Sequence, residues 1–315
     1  MTRNSQTSGP QDGPTADGAA PGQPGLQDRL VAFFGRLLTL AGDQVSEARR
    51  LRILRLYLMI HAPFELLWDC LIWETERAHQ GLLFASGLVA CLALSFIGER
   101  TQLAVRLFVG FQLATILWLF PAVSNHFFLV FSCLLLLSLL DLRRPDDALM
   151  GLQACRWLAL IVLFYSGLQK VLYGTYFQGQ LLAWTIAHDG RFQAAFGHIV
   201  PADEMARLQG LANTAGPFVA EWWPLIAISN FTYLFELAAP ILLLYPRTRS
   251  AAVGATFVFL LLIETGAREY FFGCVFVNLL FLFARRNWYP MLLPATFLIY
   301  AWRLWPRLDR VWEWF

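Results

Sequence analysis

The stretch FYSGLQKVLYGTYFQGQ, residues 164–180, carries Lys170, the single lysine among 24 basic residues; every other one is arginine. The choice has a chemical meaning. A guanidinium stays charged under all relevant conditions, whereas an amine in a dry site can lose its proton and act as a base or nucleophile. Lys170 closes a long apolar run and is read as such a base, with Phe164, Tyr165 and Tyr173 expected to keep water from it. The competing reading is a lysine that snorkels to water from the membrane interface. His126, after Asn125 in PAVSNHFF, is placed either to orient or relay a proton or simply to open a helix. Glu264 precedes Arg268 by one helical turn, which fits a functional carboxylate or a structural ion pair equally. His61, Glu65 and Asp69 share one helix face by their i, i+4, i+8 spacing. The expectation there is a polar seam turned into a bundle and paired with Arg55 or Arg106. A metal is not expected, because no second ligand set of suitable spacing accompanies these residues. Glu236, in YLFELAAP ahead of Pro240, must face protein, and spacing alone names no partner for it.

These residues sit in a chain that is 57% hydrophobic, with the apolar residues in long blocks. Blocks of about 20 such residues cross a bilayer as helices. The expected fold class is therefore all-α, a polytopic membrane helix bundle with eight or nine transmembrane helices and a small outer helical cap. A formal net charge of +2 gives no basic field for nucleic acid. Cys70, Cys91, Cys133, Cys155 and Cys274 lie in or against apolar runs without CxxC spacing, and read as small apolar residues in helices. Residues 1–28, rich in Gly, Pro, Ser, Gln and Asp, read as a disordered tail without the apolar core of a signal peptide.

Residues 29–48 read as an interfacial amphipathic helix. Spanning segments are expected over 51–73, 81–97, 102–121, 126–140, 148–173, 222–245, 251–267 and 271–283. A ninth, 289–304, is broken by Pro290 and Pro294 and either spans or lies in the interface, making 288–315 a short C-terminal hydrophobic region. Arginines 49, 50, 52, 100, 143, 144, 247, 249, 285 and 286 fall on one side, which the positive-inside rule makes cytoplasmic. The N-terminus is then cytoplasmic, in an inner or plasma membrane, and residues 176–221 form an extracytoplasmic cap. Lys170, His126 and Glu264 all fall toward the outer face in this topology.

The lysine stretch resembles the "aromatic, small-Gly-x-x-Lys, aromatic-x-Gly" segment of the HTTM domain, the membrane domain of vitamin K-dependent γ-carboxylase and its bacterial relatives. SNHFFLVFSCLLLLSLLDLRR is similar to that family's Asn-His helix entry, and FELAAPILLLYPRTRSAAVGATFVFLL to its Glu–Pro helix, basic turn and following helix. Together the three cover roughly residues 50–285 and imply an HTTM-like domain over 49–287. The resemblance implies Lys170 as the base that deprotonates a reduced quinone of the vitamin K or menaquinol type, His126 as its helper, O2 and CO2 as co-substrates, and a carbon–carbon lyase type of activity. Two features depart from the family: Glu264 or a neighbour stands where the family often has histidine, and the large lumenal substrate-binding domain is missing. A second reading of the same polar pocket is a non-catalytic membrane protein that binds or exports a lipid or peptide. The expected partners are the bilayer, a hydrophobic small molecule or peptide, and a partner membrane protein.

Overall fold

The computed structural model describes residues 47–70, 75–96, 101–121, 123–284 and 288–305. The tail 1–28, the amphipathic stretch up to residue 46, Arg100, Arg285, Arg286 and residues 306–315 lie outside the described residues. Among the described residues the regular structure is helical throughout. The helices are α1 (Glu47–Cys70), α2 (Thr75–Leu94), α3 (Thr101–Leu119), α4 (Asn125–Leu139), α5 (Pro145–Tyr173), α6 (Gln180–His188), α7 (Gly190–Phe196), α8 (Ala202–Gly210), α9 (Trp223–Leu244), α10 (Arg249–Ala267), α11 (Tyr270–Leu280) and α12 (Tyr289–Leu304).

Four of them, α3, α5, α9 and α10, are long and apolar enough to cross a membrane. Their outward positions carry residues such as Leu107, Leu117, Trp157, Ile161, Ile241 and Leu262, all exposed. A helix facing water would be polar there. α1 is different: it buries His61 and Glu65 along with Leu51, Leu54, Leu58 and Leu66, so its polar face points inward. Several helices start before the apolar blocks do. α5 begins at Pro145, ahead of the apolar block at 148, because a first turn tolerates acidic residues and proline.

α5 carries the lysine. Pro145 with Asp146 and Asp147 opens this helix, and Gly174 closes it in the left-handed conformation at φ 69°. The Gly174 N–H donates to the carbonyls of Lys170 and Val171, so Lys170 lies in the last turn, where the helix dipole favours a cation. α5 packs tightly on α9 at Gly167, where a Cβ would stand 3.0 Å from Cβ of Glu236 and 3.1 Å from the Leu237 nitrogen. A glycine there spares the two helices a contact tighter than most Cβ atoms make.

Residues 176–221 hold α6, α7 and α8, short helices with an apolar core of their own: Ala183, Ile186, Val200, Leu208 and Ala220, joined by Leu225. Glu204 ties this layer together. Its carboxylate accepts from Arg207 and from the backbone N–H groups of Glu221 and Trp222. The layer is fastened to α10 by Arg191, whose Nη1 donates to the Ala267 carbonyl at 3.1 Å.

Candidate functional site

Lys170 is held by three oxygens. Its Nζ donates to Ser166 Oγ at 2.8 Å and to Glu236 Oε1 and Oε2 at 2.7 and 2.6 Å. Ser166 reaches it because it lies one turn earlier on α5; Glu236 reaches it because α9 crosses at Gly167. The Tyr176 ring covers the amine from the layer of short helices, 5.4 Å from Nζ to the ring centroid. The side chains of Lys170 and Glu236 are 17% and 6% exposed, so each needs the other's charge to be tolerated there. Pro240 adds a backbone feature on the same turn, since it has no N–H to offer the Glu236 carbonyl.

This pair opens on a cavity of about 590 Å³ between α5, α6, α7, α9, α10 and α11. Its walls are mostly apolar, with Phe192, Phe196, Phe259, Phe272 and Phe276 among them. That volume falls within the range of about 300–1,000 Å³ typical of small-molecule sites. Glu264 and Glu269 line it as well. Glu264 packs against Gly273; a Cβ there would stand 2.6 Å from Glu264 Oε1 and oblige the carboxylate to shift.

A second polar cluster lies between α1, α4 and α12. Glu65 Oε2 bonds His61 Nε2 at 3.1 Å, and Glu65 Oε1 accepts from Ser124 Oγ at 3.2 Å and pairs with His126 Nε2. His61 Nδ1 bonds the Tyr300 hydroxyl, which meets the Tyr57 hydroxyl at 2.9 Å. His61 is 0% and Glu65 2% exposed. The His126 ring stands 6.3 Å from that of Phe272, a wall residue of the cavity, so the cluster lies behind the wall.

The structure changes several expectations. Lys170 bonds Glu236, and His126 bonds Glu65: the two expected partners belong to different clusters. The polar seam of α1 is paired with His126 and Tyr300 rather than with arginine. Arg55 instead bonds Gln102 and Arg106 the Ser138 carbonyl. Asp69 is half-buried, one turn beyond Glu65 and outside these bonds. Tyr165 lines no part of the cavity; it is 56% exposed, and Phe164 and Tyr173 also turn outward. The drying group is Tyr176 instead. Glu264 and Arg268 make no ion pair among the described residues. Arg268 takes the left-handed conformation at φ 54° that ends α10, and its backbone N–H donates to the Glu264 carbonyl. Among the described residues no group of His, Cys, Asp and Glu is arranged to hold a metal ion.

Spacing in the sequence does not single out Ser166, Tyr176, Ser124, Tyr57 or Tyr300. For Glu236 one signal exists: a carboxylate deep in an apolar run needs a cation, and the chain has one lysine in such a run. No family model, curated protein or solved structure matches this chain.

Proposed function

We propose that the chain is a membrane-embedded enzyme whose acid–base unit is the Lys170–Glu236 pair, acting on a hydroxyl of a hydrophobic ligand in the adjoining cavity. The observation that carries this reading is an ion pair set in the wall of an apolar cavity, with Lys170 touching both carboxylate oxygens and Ser166. An ionisable pair in an apolar segment is costly and marks a functional site by default. Lys170 takes the hydroxyl proton at Nζ as one of its own protons passes to Glu236. The proton thus ends on the Glu236 carboxyl, and the ammonium remains facing the deprotonated oxygen. Ser166 keeps Nζ in line with Glu236, while Tyr176 and the phenylalanine walls exclude water.

The likeness of residues 164–180 to the HTTM lysine segment favours a reduced quinone of the vitamin K or menaquinol type as the hydroxyl donor. The cavity fits such a group: its volume and aromatic walls suit a fused ring system, and one polar pole suits its hydroxyl. A bound quinol would supply the O2-dependent chemistry that precedes addition of CO2 to a substrate carbanion. His126, held by Glu65, is assigned a supporting role behind the Phe272 wall. The accompanying topology has eight or nine spans in a plasma or inner membrane, a cytoplasmic N-terminus, and residues 176–221 as an outer cap.

The test is turnover. Purified protein supplied with 2-methyl-1,4-naphthohydroquinone and O2 should oxidise the quinol faster than buffer does. Lys170→Arg, which keeps the charge but not the transferable proton, should lose that activity with the fold intact. A protein that only binds or exports its ligand shows no turnover and tolerates the arginine.

A further inference from the structure

Resting on the reading of the cavity as the ligand site, we infer that its second reactant is an amphiphile bearing an ammonium group, recognised by Glu264. The charge of the lining points this way. Lys170 is the one cation lining the cavity among the described residues, and Glu236 already neutralises it through both oxygens. Glu264 and Glu269 are the remaining ionisable groups of the described wall, both acidic. A carboxylate-bearing ligand would find no unpaired cation there.

Glu264 is also incompletely satisfied. Its Oε2 is buried and has no hydrogen-bond partner among the described residues. A buried acceptor left unpaired costs stability; Oε2 is shielded by its neighbours, and a ligand donor reaches it when the flexible carboxylate turns toward the cavity that Glu264 lines. The neighbouring cations stand outside the cavity lining. Arg191 is engaged by Asp189 and the Ala267 carbonyl, Arg268 does not line the cavity, and His126 pairs with Glu65 across the Phe272 wall. The surroundings of Glu264 suit an ammonium in a second way. Phe192 packs on the same end of α10, at Gly266, and Phe192, Phe196 and Phe272 line the cavity with aromatic rings, a residue type whose faces attract cations. The apolar remainder of the wall takes the tail. Glu264 thus gives the cavity a cation-selective pole separate from the hydroxyl-facing Lys170–Glu236 pole.

The test is competition binding in a nonionic detergent, with radiolabelled decylamine as the probe and unlabelled decylamine, decanol and decanoate as competitors. Wild-type protein should bind decylamine at least about ten-fold more tightly than decanoate. Glu264→Gln should bring that ratio close to one, and Glu264→Asp should keep most of it. Gly273→Ala, which displaces the Glu264 carboxylate without changing its charge, should also reduce the ratio. Equal or tighter binding of decanoate by wild type overturns the inference, as does an unchanged ratio in Glu264→Gln. The preference is read from binding alone, so it stands or falls independently of the proton transfer assigned to Lys170.

Discussion

The two polar clusters of this protein are built from similar chemistry and placed differently. Lys170–Glu236 joins two tightly packed helices and opens on a cavity. In the other cluster His61 and Glu65 are buried among Tyr57, Tyr300 and Ser124, while His126, its side chain 18% exposed, flanks Phe272 of the cavity wall. In the buried cluster each polar group is used by another, so its substitution should be felt first in stability. In the open one, two groups hold each other at a surface a ligand can reach, so substitution there should be felt in binding and chemistry.

The largest effect expected from this contrast is in the buried cluster. Glu65→Ala removes the shared partner of His61, His126 and Ser124 and leaves the buried His61 ring with Tyr300 as its one remaining partner in this cluster. Breaking such a buried arrangement costs about 3–5 kcal/mol. Thermal unfolding in detergent should show a large drop, and a wild-type melting temperature would erase the distinction between the clusters.

Lys170→Met should destabilise less, by about 1–3 kcal/mol, because Glu236 can be partly hydrated from the cavity. The paired substitution Lys170→Met with Glu236→Leu should recover much of that loss, since it removes both charges together. A double variant less stable than either single one would mean that the pair is structural cement and not a replaceable functional unit.

Gly167→Ala acts on the same pair through the backbone. Its Cβ would meet Glu236 Cβ and Leu237 Cγ at 3.0 Å and push α9 away from α5. Overpacking of this kind costs about 1–3 kcal/mol. Quinol binding should weaken alongside stability; binding at full strength would show that the α5–α9 spacing does not position the site.

The legibility of these features in the sequence depends on distance along the chain. The i, i+4 relation of His61 and Glu65 and the apolar blocks of α3, α5, α9 and α10 are local patterns, and the structure reproduces them. Lys170 is conspicuous by residue type alone. Its pairing with Glu236 joins residues far apart in sequence and depends on how α5 and α9 cross at Gly167, which no local period encodes. The same applies to Tyr300, which comes from the last described helix to close the cluster on α1. Tyr165 illustrates the opposite error. It adjoins the site in sequence, but the helical turn points it away.

The smallest effect lies in the layer of short helices, at Glu204 on α8, which does not line the cavity. The hydrogen bonds from Arg207 hold the Glu204 carboxyl below its ordinary value, and the backbone N–H groups of Glu221 and Trp222 add to this. A depressed carboxyl contributes stability that is complete above its unfolded value and is lost as pH falls through the folded one. Amide protection within residues 202–222, measured against intrinsic exchange rates, should therefore fall below about pH 4, and Arg207→Ala should shrink that acid-dependent loss. A loss of the same size in Arg207→Ala would remove the arginine as its cause.

The central claim, that Lys170 and Glu236 together take a proton from a bound hydroxyl, is tested most directly by infrared difference spectroscopy. Anaerobic addition of 2-methyl-1,4-naphthohydroquinone to the purified protein should produce a protonated-carboxyl band, and that band should be missing from Glu236→Gln and from Lys170→Arg. A quinol that binds without producing the band, or a band that persists in Glu236→Gln, contradicts the account.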